Sequence, residues 1–249
     1  AASNSTRWWH FVENSRLTAD RLLLRPDLRG NGESRWRGGP VRLETWCQDI
    51  AEMLNHEQQN CAIVVGHCLG ANIAINFASR YPDMCAGLVL VEPISRKAAR
   101  GILARLQLFL PLLQFVIGAI KQLNRIGIYR RRLKSVNLRM LDHSIHDVGS
   151  TAPERTLAKH GSPWHDLRVT PTTQYLGNFI EIMRPLPVCS VRCHCLVIQS
   201  SGRRITDPVR TRIKLEALPA VEFVEDESQH RLPKTQPDRL CRLIDAWVM

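Results

Sequence analysis

The chain has few of the features that would place it in or across a membrane. Its most apolar stretch, Leu106 to Ile120, runs 15 residues without a charge, short of the roughly 20 needed to span a bilayer, and Pro111 interrupts it. The first residues, AASNSTRWWHFVEN, contain neither a charged n-region nor an apolar h-region, so a secretory signal is not expected. Internal repeats and low-complexity tracts are also missing, which argues against solenoid and fibrous architectures.

Acidic residues are scarce: 23 Asp and Glu stand against 34 Lys and Arg, a formal charge of +11. Such a surplus favours phosphate groups, coenzyme A esters or anionic lipid surfaces as partners. It does not point to nucleic acid, because no basic and aromatic recognition module is visible. The eight cysteines are irregularly spaced and several lie in apolar runs, so reduced thiols in a cytoplasmic protein are expected. With 249 residues, one core can serve the molecule, and one domain with an inserted subdomain is the natural organisation.

What is present alternates between two periodicities. RLLLRPDLRGNGES reads as a short buried strand followed by a glycine-rich turn. VRLETWCQDIAEMLNHE places Leu43, Trp46, Ile50, Met53 and Leu54 at helical spacing. CAIVV and AGLVLVEP are short, continuously apolar and rich in β-branched residues, as parallel strands buried on both faces should be. Between them LGANIAINFASRYP reads as a helix ended by Pro82. From Ser95 to Met183 long helical segments replace the strands, and the alternation then resumes with CLVIQSS, a helix near residues 208–217, VEFVEDESQH and a last helix, DRLCRLIDAWV. The pattern predicts an α/β fold with a mostly parallel sheet flanked by helices. Its core is expected to comprise residues 1–94 and 184–249, with a helical cap at 95–183.

Three segments carry a more specific signal. VVGHCLGA has the form glycine-x-nucleophile-x-glycine between a strand and a helix, with Cys68 where serine is usual. PDLRGNGES precedes it and DESQH follows near the C-terminus. In this order the three resemble landmarks of the α/β-hydrolase superfamily. The resemblance implies a nucleophile elbow at Cys68, a general base at His230 and an oxyanion-hole donor at the backbone N–H of Leu69. The N-terminus of the helix behind Cys68 is expected to lower its pKa. His67 is a neighbour typical of the family without a necessary role. Cysteine at this place resembles dienelactone hydrolases and polyhydroxyalkanoate synthases, although the short cap and single domain match neither closely.

Two departures accompany the resemblance. The family's usual acid position aligns with Arg203 or Arg204, and a cation cannot stabilise an imidazolium. Two carboxylates could substitute. Asp207 lies just beyond, but Asp followed by Pro is also a helix N-cap signature. Glu92 ends the strand after the elbow, as in haloalkane dehalogenases. The family's oxyanion loop should lie just before Ala1, which leads to the expectation that the chain is truncated.

The resemblance implies hydrolysis of an ester, thioester or lactone by a Cys68–His230 acyl-enzyme mechanism, with an apolar acyl substrate suggested by the greasy cap. An acyltransferase using acyl-coenzyme A thioesters is an alternative; a non-catalytic binding protein on a degenerate frame is another, favoured by the arginine at the acid position. Arg130, Arg131, Arg132 and Lys134 could meet an acidic head group or a membrane surface, or form a solvated basic face. No cofactor is expected. Two clusters invite a metal reading: Cys189, Cys193, His194 and Cys195, and Asp142, His143, His146 and Asp147. In the first, strand alternation turns His194 away from Cys193 and Cys195, and no second ligand pair stands at a usual zinc spacing; the second falls in the predicted cap. A metal is expected at neither.

Overall fold

The computed structural model describes residues 3–36, 41–129, 132–140, 163–202, 205–226 and 232–249. Contacts divide the chain into two compact units, one of residues 41–114 and 178–232, the other of residues 1–40, 115–177 and 233–249.

The first unit holds a sheet of four strands, all parallel, in the order β1 (Ala62–His67), β2 (Cys85–Val91), β3 (His194–Ser200), β4 (Val221–Asp226). Parallel neighbours need crossover connections, and helices supply them. α2 (Leu43–His56) precedes β1, α3 (Leu69–Arg80) joins β1 to β2, and α8 (Pro208–Leu215) joins β3 to β4. Leu88, Val89, Leu90 and Val91 of β2 are fully buried, each worth about 1.5–3 kcal/mol in apolar burial. β1 is less covered, and Ile63 is exposed, since among the described residues β1 pairs only with β2. In α2 the fully buried stripe is Leu43, Trp46, Cys47, Ala51 and Leu54; Ile50 and Met53 lie at its margin.

Among the described residues, the interval between β2 and β3 contains no ladder strand, and its longer helices are α4 (Gly101–Leu108), α5 (Leu110–Arg125), α6 (Pro163–Val169) and α7 (Thr172–Ile182). The second unit contains α1 (Trp9–Asn14), most of α5, α6, the start of α7 and the C-terminal α10 (Pro237–Val248), reached through the short α9 (Leu232–Thr235). Within it, α1 packs on α10, and Asp245 of α10 accepts from the Arg16 N–H at 3.0 Å and from the Ser15 hydroxyl.

One expected element is not a strand. Residues 22–28 form no ladder and Leu22 is 58% exposed. An extended run becomes a strand only when a neighbour takes up its N–H and C=O groups, and none of the described residues pairs with this one. The glycine turn after it does form: Gly30 and Gly32 both take positive φ, and Asp27 accepts from the Glu33 N–H at 2.7 Å. A Cβ on Gly32 would fall within 2.1 Å of the Asp27 carboxylate, so the turn needs glycine there.

Candidate active site

Parallel strands bring their C-terminal ends to one edge of a sheet, and the register here sets Cys68 and Glu92 side by side. His67 pairs with Val91 and Val91 with Ile198. One step further, the Cys68 N–H donates to the Val91 carbonyl at 2.9 Å and the Glu92 N–H to the Ile198 carbonyl at 2.8 Å. β4 ends at Asp226 on the same edge, paired with Ser200. His230 follows four residues later and lies outside the described residues, as do Arg203, Arg204, Arg130, Arg131 and the cluster Asp142, His143, His146 and Asp147.

Cys68 is the corner of a strand-to-helix turn. Its φ of 57° and ψ of −113° are costly for a residue with a side chain, on the order of 1–3 kcal/mol, and persist only where surroundings enforce them. Gly66 is one such constraint: a Cβ there would stand 2.3 Å from the Gly70 carbonyl and 2.6 Å from the Ala71 nitrogen. α3 therefore starts directly against the strand, its first turn bonded back to the Cys68 carbonyl by the N–H groups of Ala71 (3.1 Å) and Asn72 (3.3 Å). Gly70 carries no such constraint, since a Cβ on it would meet nothing within 4 Å.

The thiol sits at an apolar junction. Cys68 and Leu69 pack against Ile94 beyond β2, Leu103 of α4, and Ile182 and Met183 at the end of α7. Burial pushes the Cys68 thiol up to about 11 from 9.0; the Leu69 N–H, bonded to the sulfur, pulls the other way, and the Glu92 charge adds to the rise. This corrects the expectation of an acidified thiol: desolvation raises the pKa by more than the Leu69 N–H lowers it. At neutral pH the resting group is a thiol, so its use as a nucleophile requires a base.

Glu92 is buried, at 2% exposure, with φ at 49°. Its Oε2 lies 2.8 Å from His67 Nε2. This pairing was not expected of His67; it follows from the β1–β2 register, which no local motif reveals. Asn72 was also unforeseen. Wholly buried, it accepts from the Ile94 N–H (3.1 Å) and donates to the carbonyls of Ile94 (2.9 Å) and Ile182 (3.2 Å). It thereby ties the first turn of α3 to both segments that cover Cys68.

Asp207 has a different setting. It is the N-cap of α8, its Oδ1 accepting from the N–H groups of Val209 (3.1 Å) and Arg210 (3.3 Å), and its Oδ2 from Arg100 at 2.9 Å. The Asp207 N–H donates to Ala98 at 2.7 Å, and Ala99 bridges Thr206. These contacts join the segment after β2 to the segment after β3.

All eight cysteines are free. Cys193 lies 3.7 Å, sulfur to sulfur, from Cys85, a neighbour supplied by the adjacent strand. His194 and Cys189 are exposed, and among the described residues no group of three His, Cys, Asp or Glu side chains could hold a metal ion. A cavity of about 340 Å³ in the second unit, lined in part by Ile120, Leu123, Ile128 and Leu133, includes none of the candidate catalytic residues.

Known proteins share this fold. Residues 2–131 match the family described as alpha/beta hydrolase fold. The chain is 35% identical over 87 residues to the lipase LipV of Mycobacterium tuberculosis, a stretch that is 35% of this chain and 32% of that protein. The matched stretches thus span a third or less of the curated relatives' own lengths. Solved structures align over nearly the whole chain. A thermophilic esterase from Thermogutta terrifontis has a TM-score of 0.65 at 21% identity, covering 98% of this chain and 85% of that one. An enol-lactonase from Burkholderia xenovorans LB400 has 0.67 at 18%, covering 99% and 87%. The family match over more than half the sequence, a strand–Cys68–helix elbow and a parallel sheet flanked by helices agree: the chain belongs to the alpha/beta hydrolase fold family.

Proposed function

We propose that this protein is a carboxylic ester, thioester or lactone hydrolase that works through an acyl-thioester on Cys68. The observation that carries the proposal is the elbow itself: a residue with φ of 57° held between Gly66 and α3, its sulfur bonded by the Leu69 N–H and facing an apolar cluster. An inert core cysteine has no need of such backbone. His230 removes the thiol proton, the thiolate adds to the substrate carbonyl, and the developing oxyanion takes the Leu69 N–H. The imidazolium returns the proton to the departing alcohol or thiol. Water, deprotonated by the same imidazole, then cleaves the thioester and releases the acid and free Cys68.

Glu92 serves this scheme better than Asp207. It follows the strand beside the elbow and is buried, with one carboxylate oxygen on His67, whereas both Asp207 oxygens are engaged, one in capping α8 and the other by Arg100. Ile94, Leu103 and Ile182 around the sulfur suit an apolar acyl group. The similar proteins, a lipase, an esterase and an enol-lactonase, accord with this class.

Hydrolysis of p-nitrophenyl esters tests the scheme. Cys68→Ala and His230→Ala abolish turnover, and Glu92→Gln lowers kcat by about 10²- to 10⁴-fold, as loss of a triad acid does. Asp207→Asn keeps its cap and leaves kcat nearly unchanged. Loss of turnover in Asp207→Asn with an unaffected Glu92→Gln would exchange the two roles. The raised pKa of Cys68 favours a second reading, a binding protein on a hydrolase frame; it predicts no turnover in the wild type with any ester.

A further inference from the structure

Helix α5 is apolar on the wrong side. Its inward positions Leu113, Ile117 and Ile120 follow helical spacing, as a core-facing stripe should. The outward positions do so too. Leu112, Phe115, Val116, Ala119 and Leu123 recur at i, i+3, i+4, i+7 and i+11 and are all exposed, Phe115 by 74%. Exposed Ile126 and Ile128 prolong the stripe. A continuous exposed apolar surface on a water-soluble domain marks a place where something binds.

The charge around this stripe identifies what binds. From Pro93 to Leu141, 49 positions, the sequence contains 11 Lys and Arg and no Asp or Glu. Arg125 closes the helix, and Arg132 and Lys134 follow it, all exposed. A second copy of the chain would bring the same cations onto themselves. An anionic bilayer offers both halves of the complement, phosphates at the level of the cations and acyl chains at the level of the stripe. The helix is too short to cross: 16 residues rise about 24 Å, less than the roughly 30 Å hydrocarbon core, and no described helix is long and apolar enough to span a membrane.

We infer that α5 is an interfacial docking helix, lying in the plane of an anionic lipid surface with Leu112, Phe115, Val116 and Leu123 among the acyl chains and Arg125, Arg132 and Lys134 at the phosphates. The inference is independent of the Cys68 chemistry, so it is tested by binding. In flotation with the whole chain, wild type rises with mixed phosphatidylcholine and phosphatidylglycerol vesicles at least about tenfold more tightly than with phosphatidylcholine alone, and added salt weakens it. Phe115→Asp with Leu123→Asp reduces binding by at least about tenfold. The milder Leu123→Gln, with melting temperature and circular dichroism unchanged, reduces it in the same direction, and Arg125→Glu with Arg132→Glu removes the preference for the anionic vesicles. Three results would overturn the inference: no flotation of wild type, equal flotation of wild type and stripe variants, or a dimer in sedimentation velocity without lipid that Phe115→Asp abolishes.

Discussion

At Cys68 two opposing effects act on one sulfur, and the larger is not visible in the neighbouring residues. The helix start and the Leu69 N–H favour thiolate, while the apolar side chains of Leu103 and Ile182, brought in from 35 and 114 positions away in sequence, remove water and favour thiol. Motif reading sees the first and misses the second, because burial depends on long-range packing. A pKa raised to about 11 has a sign that can be checked. Iodoacetamide labelling of Cys68, followed by peptide mass spectrometry, should still rise about tenfold per pH unit between pH 8 and 10. The exposed Cys61 and Cys189 serve as accessible labelling references in the same digest. A plateau for Cys68 near pH 8 would mean that the helix dominates. The two elbow glycines separate just as clearly. Gly66→Ala, forced into backbone at 2.3 Å, should cost about 2 kcal/mol or more, and Gly70→Ala should stay within about 0.5 kcal/mol, both read by urea denaturation.

Among elements, the connection of α2 to the end of α7 sets a pH dependence. Glu181 accepts the N–H of Leu43, the first residue of α2, at 3.0 Å, and Arg184 pairs with Glu181 at 3.0 Å and with Glu44 at 2.7 Å. The Arg184 hydrogen bond holds the Glu44 carboxyl down at about 2, below its ordinary 4.5. A carboxylate with a depressed folded pKa contributes stability above its unfolded value and loses it as pH falls toward the folded one. That contribution is therefore complete above about pH 4.5 and disappears toward pH 2. Glu44 is 35% exposed, so screening holds the contribution to about 1 kcal/mol. Arg184→Met should lower the melting temperature at pH 7 and flatten its fall between pH 4.5 and pH 2; an unchanged acid limb would show that the pair adds nothing. The elements themselves were largely legible. AGLVLVE and CLVIQSS are strands because short β-rich apolar runs can be covered on both faces, CAIVV is a strand that leaves Ile63 exposed, and Asp207-Pro208 is a cap because proline is preset for the first helical turn. The run RLLL misleads for the same physical reason reversed: apolar composition cannot make a strand without a ladder partner.

Across the whole molecule, the order of the four parallel strands and the helices between them was written in the sequence, and with it the family. The pairing of His67 with Glu92 and the clamp made by Asn72 were not, since each depends on the register or packing of segments distant in sequence. The measurement that bears most directly on the central claim is intact-protein mass spectrometry after rapid mixing with short- and medium-chain p-nitrophenyl esters. The account predicts a transient gain of one acyl group on wild type, located at Cys68, lost in Cys68→Ala and slowed by at least about 10²-fold in His230→Ala. Wild type that stays unmodified while hydrolysing the ester, or an adduct that survives Cys68→Ala, would contradict it.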